Sequence, residues 1–302
     1  MKKSISATSP GKVIISGEHS AVYDQPALAS AINLFVRIEL QSDSESWEIE
    51  SQYISFFQNI LEIFYKKFEK ETKNFTVKIS GSLPIGSGLG SSAAFAHATF
   101  KALAQFFNVK IAQTGMISLI QESERYAHGH PSGLDATAVV LGGVVEFQRH
   151  GDELTYKMIS STNLHEKTFF LIDSGRPTET TKDMISFVKA TLKERPKLQK
   201  TIEDMGRLTT LLTLQIKDGW LDPFLLTKNQ RFLEDLGVVS EKAAMMVREI
   251  EAAGGFAKVS GAGGRSRGSG MLLAYHEDSA KLREFLQGKK WLNYPVTLGN
   301  VV

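Results

Sequence analysis

A glycine-serine segment, PIGSGLGSSAAF at residues 84–95, constrains the fold more than any other part of the chain. It follows the alternating strand pattern FTVKIS at 75–80 and precedes apolar residues that recur at helical spacing from about Ser92 to Phe107. Glycine tolerates positive φ, so the N–H groups of such a loop can converge on an anion where the helix begins. Ser91 or Ser92 would cap that helix. Because no Walker A lysine follows, the segment alone leaves a phosphate-binding loop and an ordinary glycine-rich turn both open.

Strand and helix patterns are interspersed along the chain without strict βαβ alternation, which favours the α+β class. Strands are predicted at 34–40, 75–80, 142–148 and 168–175, helices at 51–70, 92–107, 114–127, from near Gly133, 178–193, 196–217, 223–235 and 239–253, and further strands and a helix between 256 and 299. The more helical second half places a domain boundary near residue 155. We therefore predict domains at residues 1–155 and 156–302.

The composition is that of an ordinary globular protein, with 42% hydrophobic and 23% charged residues in 302. A net charge of +2 gives no reason to expect a nucleic-acid or membrane partner. The absence of cysteine excludes disulfides, thiolate metal sites and a cysteine nucleophile. The polar start predicts no signal peptide, and no apolar run is long enough to span a bilayer. We expect a cytoplasmic location.

Two further segments carry residues that suit a phosphate-handling site. SPGKVIISGEHSAVYDQPALASAI at 9–32 holds Lys12 directly after Pro-Gly, and then Glu18 and His19. AKVSGAGGRSRGSGMLL at 257–273 is a second glycine-rich turn between two strand patterns. Each feature also has a purely structural explanation. Lys12 would be a surface lysine, Glu18 and His19 a polar pair at a strand end, and the second turn a mobile hairpin.

A pair of carboxylates lies in ESERYAHGHPSGLDATAVVLGG at 122–143. Glu124 is near the end of a helix pattern, and Asp135 is in the first turn of the next helix. Such a pair would bind a metal ion and accept a proton from a substrate hydroxyl, although a carboxylate at a helix N-terminus is favourable by itself. His128 and His130 do not predict zinc, since they lack a third ligand.

Taken in order, these segments resemble the GHMP kinase family. SPGKVIISGEHSAVY resembles its first motif, PIGSGLGSSAA its phosphate loop and AKVSGAGG its third motif. The resemblance spans nearly the whole chain. It implies a two-domain fold, with an N-terminal ribosomal-protein-S5-like nucleotide domain and a C-terminal helical and ferredoxin-like domain. It also implies ATP-dependent phosphorylation of a small alcohol.

The resemblance assigns roles in phosphoryl transfer. The ATP phosphates would be wrapped by Gly86, Ser87, Gly88, Leu89, Gly90, Ser91 and Ser92. Ser92 and Glu124 would be ligands of Mg²⁺. Asp135 matches the catalytic aspartate and Lys12 the lysine that pairs with it. SERYAHGHPSGLD departs from the family pattern GERxxHGxPSGxD only in having Ser123 in place of glycine.

The same resemblance places four residues on the substrate side. Glu18 and His19 belong to the segment near nucleotide and substrate. Thr181, in DSGRPTETTKDM, matches the family's substrate-side threonine, and Gly263 lies in the third motif.

The motif variants favour mevalonate as the acceptor, with phosphomevalonate or another small alcohol as the alternative and a non-catalytic sensor as a further one. Asp24 stands where the family usually has glycine. Arg265 and Arg267 interrupt the third motif, either to contact an anionic acceptor or as a solvated loop tip. A homodimer is a family expectation.

Overall fold

The chain, as a computed structural model, is described for residues 4–42, 46–48, 51–84, 86–128, 132–150, 153–160 and 163–299. It divides into two compact units. The first unit is built from Met1–Lys12 and Asn33–Gly142, and the second from Val13–Ile32 and Gly143–Val301. Since compact units need not coincide with domains, the boundary near residue 155 stays a prediction.

Two long strands contribute residues to both units, namely β1 (Ser4–Ser16) and β2 (Ala27–Ser42), which pair with each other. The remaining elements of the first unit are β3 (Ser46–Glu48), α1 (Ser51–Phe68), β4 (Phe75–Gly81), α2 (Ser91–Phe106), α3 (Gln113–His128) and α4 (Leu134–Leu141). The second half of β2 pairs antiparallel with β4, in register from Val36–Gly81 to Ser42–Phe75. β3 adds to β4 in parallel.

Helix α2 is the central element of the first unit and packs against α1, α3 and α4. Its sequence SSAAFAHATFKALAQF is rich in alanine, the strongest helix former, and is buried on nearly all sides. Small side chains let neighbouring elements approach closely, and aromatic rings fill the ends. Phe95 meets Phe57 edge-on at 6.3 Å between ring centroids, and Phe106 meets Phe75 at 4.9 Å.

The second unit contains two groups of strands and most of the helices. Its elements are β5 (Val144–His150), β6 (Glu153–Ile159), β7 (Phe169–Asp173), α5 (Thr181–Glu194), α6 (Gln199–Lys217), α7 (Phe224–Asp235), α8 (Glu241–Ala252), β8 (Phe256–Val259), β9 (Met271–Tyr275), α9 (Ser279–Lys289) and β10 (Asn293–Val296). The first part of β2 pairs antiparallel with β5, and β5 with β6. An antiparallel sheet has the order β10-β7-β9-β8.

The core of the second unit lies between this four-stranded sheet and the helices. Its fully or nearly fully buried members include Phe170, Ile172, Met184, Val188, Ile202, Met205, Leu233, Val247, Ile250, Val259, Leu272 and Leu286. Strands β7 and β9 are apolar at almost every position, as expected for strands covered on both faces.

The elements agree with the sequence predictions in kind and order, apart from three strands. β1, β3 and β6 were not expected, nor was the first part of β2. β1 contains Ser-Pro-Gly-Lys, a combination typical of turns, and tertiary pairing overrides that local preference. Of the described helices, none is long and apolar enough to cross a membrane.

Candidate active site

The glycine-serine loop between β4 and α2 adopts backbone conformations that require glycine. Gly86, Gly88 and Gly90 have φ values of 72°, 79° and 69°. The loop is held internally, because the hydroxyl of Ser87 donates to the carbonyl of Pro84 over 2.9 Å. The Gly86 N–H donates to the Ser91 hydroxyl over 3.2 Å. Ile85 lies outside the described residues.

The start of α2 corrects one expectation. The N-cap is Gly90, so neither Ser91 nor Ser92 caps the helix. Glycine has no side chain that could accept from the N–H groups of the first turn. The first backbone hydrogen bond of the helix runs from the Ala94 N–H to the Gly90 carbonyl over 2.9 Å. The N–H groups of the first turn lie beside the positive end of the helix dipole. This arrangement suits an anion.

Lys12 connects this loop to a carboxylate. Its Nζ forms an ion pair with Asp135 Oδ1 at 2.9 Å and donates to the Gly88 carbonyl at 3.2 Å. The Lys12 side chain is 4% exposed, whereas Asp135 is 35% exposed. The lysine stem runs over Gly90, where an added Cβ would lie 2.9 Å from Lys12 Cγ. Lys12 is thus held rigidly, while the carboxylate of Asp135 is accessible to a substrate.

A second pair lies beside the first. Ser92 Oγ, in the first turn of α2, donates to Glu124 Oε1 on α3 over 3.1 Å. Burial raises the pKa of Glu124 to about 7, and the negative charge of Asp135 adds to this, while the Ser92 hydrogen bond and the Lys12 charge oppose it. The buried carboxylate is therefore in an environment that a bound cation would make more favourable.

These oxygens fit a hard divalent cation. Mg²⁺ prefers oxygen ligands and is commonly bound by one or two protein groups together with substrate phosphates. Ser92 and Glu124 provide such a partial set next to the glycine-serine loop. Within the described part of the chain, no group of three or more His, Cys, Asp or Glu is arranged to hold a metal ion by itself.

The first unit thus brings together Lys12, Ser92, Glu124, Asp135 and the glycine loop. The other predicted residues belong to the second unit. Glu18 is 3% exposed, and both of its carboxylate oxygens are paired inside that unit. Oε1 forms an ion pair with the fully buried Lys258, and Oε2 accepts from Asn229 Nδ2 over 3.1 Å.

His19 follows in a strained conformation, with φ 62° and ψ −42°. Its Nε2 lies 2.9 Å from the Ala262 carbonyl in the third motif. A carbonyl only accepts, so Nε2 carries the proton. Burial lowers the pKa of His19, against the effects of the Ala262 hydrogen bond and the Glu18 charge. The ring is thus neutral near pH 7.

Thr181 and Gly263 lie in different settings of the second unit. Thr181 is the exposed first residue of α5, next to the N-cap Thr180. Gly263 has φ 71°, and an added Cβ would lie 2.1 Å from the Val238 carbonyl oxygen, so only glycine fits. The roles of Glu18, His19, Thr181 and Gly263 toward a substrate stay predictions.

The arginine insert of the third motif is ordered by its neighbours. The guanidinium of Arg265 stacks 4.2 Å from the ring centroid of Phe187. Ser266 donates to Glu179 over 2.8 Å and lies 2.6 Å from the Thr178 hydroxyl. Arg265 and Arg267 are exposed. The segment is therefore a docked loop and not the free hairpin that the sequence left open.

Three buried polar residues beside these groups, His97, Asn229 and Lys258, are not predicted from the sequence. Each pairs with a residue far along the chain, so no local motif indicated them. The only available signal was a polar residue at an apolar position, such as His97 in an alanine-rich helix.

Comparison with known proteins gives a consistent result. Residues 55–143 match the family model described as GHMP kinases N terminal domain. Mevalonate kinase of Pyrococcus abyssi is 28% identical over 302 residues, and the match covers 87% of each chain. Mevalonate kinase of Archaeoglobus fulgidus is 29% identical over 266 residues, covering 85% of this chain and 89% of the relative.

A solved structure shows the same fold. The crystal structure of L. major mevalonate kinase in complex with R-mevalonate matches with a TM-score of 0.86 at 20% identity, covering 98% of this chain and 96% of that one. The predicted α+β, GHMP kinase-like fold is confirmed.

Proposed function

We propose that the chain, whose residues 55–143 match the family model of the GHMP kinases N terminal domain, transfers the γ-phosphate of ATP to the 5-hydroxyl of mevalonate. Relatives of similar length named mevalonate kinase support this activity. The observation that carries the proposal is the Lys12–Asp135 ion pair at 2.9 Å, formed by a lysine that also binds the glycine loop. This geometry joins a proton acceptor to a phosphate-binding loop.

Phosphoryl transfer depends on positioning and on stabilising the charge that develops on the transferred group. Asp135 would accept the proton of the attacking hydroxyl, since its carboxylate is accessible. Lys12 fixes that carboxylate and brings a positive charge close to the loop. The N–H groups at the start of α2 would donate to phosphate oxygens.

Mg²⁺ would be held by Ser92 and Glu124 together with oxygens of ATP. When bound, the ion neutralises negative charge on the phosphates. Glu124 orients the Ser92 hydroxyl through their 3.1 Å hydrogen bond. The buried position of Glu124 keeps bulk water from competing for that carboxylate.

Contacts to mevalonate from Glu18, His19, Thr181 and Gly263 are part of the proposal, as implied by the family resemblance. Phosphomevalonate remains the alternative acceptor, and the exposed Arg265 and Arg267 are the candidates for its extra phosphate. A homodimer and a cytoplasmic location also stay predictions.

The proposal is tested by measuring ADP release from Mg·ATP with mevalonate, phosphomevalonate, galactose and homoserine in parallel. We expect turnover with mevalonate alone. Asp135→Asn should lower kcat by about 10²- to 10⁴-fold, the usual contribution of a general base, with little change in ATP affinity. Asp204→Asn is the matched control, because it removes a carboxylate on α6 that is 32% exposed and paired with Arg207 at 2.7 Å, much as Asp135 is paired with Lys12. A near-normal kcat for Asp135→Asn would refute the assignment of the base.

A further inference from the structure

A buried histidine in the first unit connects the elements that carry the candidate catalytic residues. His97 lies on α2 and is 7% exposed. Its Nδ1 is 3.0 Å from the hydroxyl of Ser9, which is fully buried in β1. One helical turn further along α2, Lys101 Nζ donates to the Thr8 carbonyl over 3.0 Å. Two adjacent residues of β1 are thus tied to α2 by side chains.

The backbone of Val139 in α4 also lies within interaction range of the His97 ring, where it favours the protonated form and acts to raise the pKa. Helix α4 has eight residues, and Val139 is among its last four. The carbonyls at such positions have no partner within the helix, so a side chain that donates to one satisfies it. A carbonyl only accepts, whereas the Ser9 hydroxyl can donate. A neutral imidazole, with one donor and one acceptor nitrogen, matches this pair of partners.

The ring stays neutral under ordinary conditions. Burial, with a further contribution from the nearby positive charge of Lys101, lowers the pKa of His97 to about 3. A protonated ring would have no acceptor nitrogen left for the Ser9 hydroxyl and would place a second cation beside Lys101. The Ser9 hydrogen bond and the Val139 contact therefore do not change across the neutral pH range.

His97 and its two partners each lie within five residues of a candidate catalytic or metal-binding residue. Ser9 is three residues before Lys12 on the same strand, and Val139 is four residues after Asp135 on the same helix. His97 itself is five residues after Ser92. Strand β1 carries Lys12, helix α2 carries Ser92 and helix α4 carries Asp135. These three elements therefore meet at the imidazole of His97.

We propose that His97 is a positioning residue of the phosphoryl-transfer site, which holds β1, α2 and α4 in the register that aligns Lys12, Ser92 and Asp135. This inference rests on the proposed function for its kinetic consequence only. His97 acts through its Ser9 hydrogen bond and its Val139 contact and touches no substrate.

The test compares variants of the full-length protein that differ in these contacts. His97→Phe keeps an aromatic ring but removes both contacts, and His97→Gln restores one donor and one acceptor. Thr99→Val is the matched control, because Thr99 is fully buried on α2 and its hydroxyl donates to the Phe95 carbonyl of the same helix over 2.8 Å. Ser9→Ala removes the histidine contact from the strand side and serves if His97→Phe does not fold.

We expect His97→Phe and Ser9→Ala to lower kcat about 10- to 100-fold, as displacements near 1 Å at an active site do. KM values for ATP and the acceptor should stay within about threefold, since binding groups are retained. His97→Gln should recover part of kcat, and Thr99→Val should behave as wild type. A loss of thermal stability with unchanged kcat in both His97→Phe and Ser9→Ala would overturn the proposal.

Amide hydrogen exchange provides a measurement that does not depend on turnover. His97→Phe should speed exchange in α4 and in the first turn of α2, whereas Thr99→Val should not. If the wild-type protein phosphorylates none of the acceptors but this exchange pattern appears, the proposed function fails and the positioning role is retained. Unchanged exchange in α4 would refute the positioning role whatever the substrate.

Discussion

The buried ion pair of the second unit allows a stability prediction that can be worked out from its contacts. Lys258 is fully buried, and its Nζ contacts Glu18 Oε1 and donates to the Ile14 carbonyl at 3.2 Å. The perturbations are Lys258→Met, Glu18→Gln and the two together. Methionine keeps most of the apolar stem of lysine, and glutamine keeps the shape of glutamate, so the variants remove charge with little change in volume.

Removing one member of a buried ion pair leaves an uncompensated charge, which lowers the free energy of unfolding by about 3–5 kcal/mol. Lys258→Met should show this loss, because among the described side chains Glu18 then keeps the 3.1 Å hydrogen bond from Asn229 and loses its cation. Glu18→Gln should lower the free energy of unfolding by less than Lys258→Met does. Burial lowers the pKa of Lys258, so without its partner the ammonium can release a proton and become neutral. The double variant buries no charge at this site. Its free energy of unfolding should fall by at least about 2 kcal/mol less than the summed losses of the two single variants.

The assay is urea unfolding followed by tryptophan fluorescence in a Trp47→Phe background. Trp220 and Trp291 then report on the unit that contains the ion pair. A fully additive double variant would refute the reasoning, since it would mean that Lys258 and Glu18 do not stabilise each other.

Two further predictions concern the first unit. Between pH 7.5 and 5.5 the unfolded chain protonates His97 at its ordinary pKa of 6.5, while the folded chain, with a pKa of about 3, does not. The contribution of His97 to folding stability should therefore fall by about 1.4 kcal/mol over this range, while Glu124, whose pKa burial raises to about 7, acts in the opposite direction. The wild-type protein should thus lose about 1.4 kcal/mol more than His97→Phe between these pH values in parallel urea titrations. Gly90→Ala should lower kcat, because a Cβ would meet the Lys12 stem at 2.9 Å. Gly88→Ala has similar backbone strain, but among the described residues no atom outside its chain neighbours lies within 4 Å of its added Cβ, so it should act on the KM for ATP. Equal kinetic effects of the two substitutions would contradict this distinction.

Much of the fold was predictable because it is encoded locally. Helices α2 and α3 follow from the spacing of apolar residues, and β4 from strict alternation, so the sequence predicts them within about two residues. The glycine loop was also predictable, because three glycines in five residues indicate a backbone with positive φ, and Gly86, Gly88 and Gly90 all have positive φ values. The N-cap residue of α2 was not predictable, because glycine and serine both occur at helix N-caps and Gly90, Ser91 and Ser92 are consecutive.

The elements that were missed are those whose stability comes from distant partners. Strand β1 carries a Ser-Pro-Gly-Lys segment that local rules assign to a turn, yet its backbone is paired with β2 and its side chains from Ser9 to Val13 are buried. Pairing energy and burial are properties of the assembled unit. A single sequence shows only the local preference that they override.

The candidate site contains two classes of residue. Lys12, Ser92, Glu124 and Asp135, which we propose handle phosphate, lie in recognisable motifs, because such groups need particular neighbours along the chain. The residues that hold such groups in place need only the right partner in space: Lys258 lies 240 residues from Glu18, and His97 lies 88 residues from Ser9. In strand β8, Lys258 between Ala257 and Val259 would be assigned to solvent by alternation, yet it is fully buried. A charge at that depth requires a carboxylate from elsewhere in the chain, so residues of this class become visible only when the pairing itself is seen.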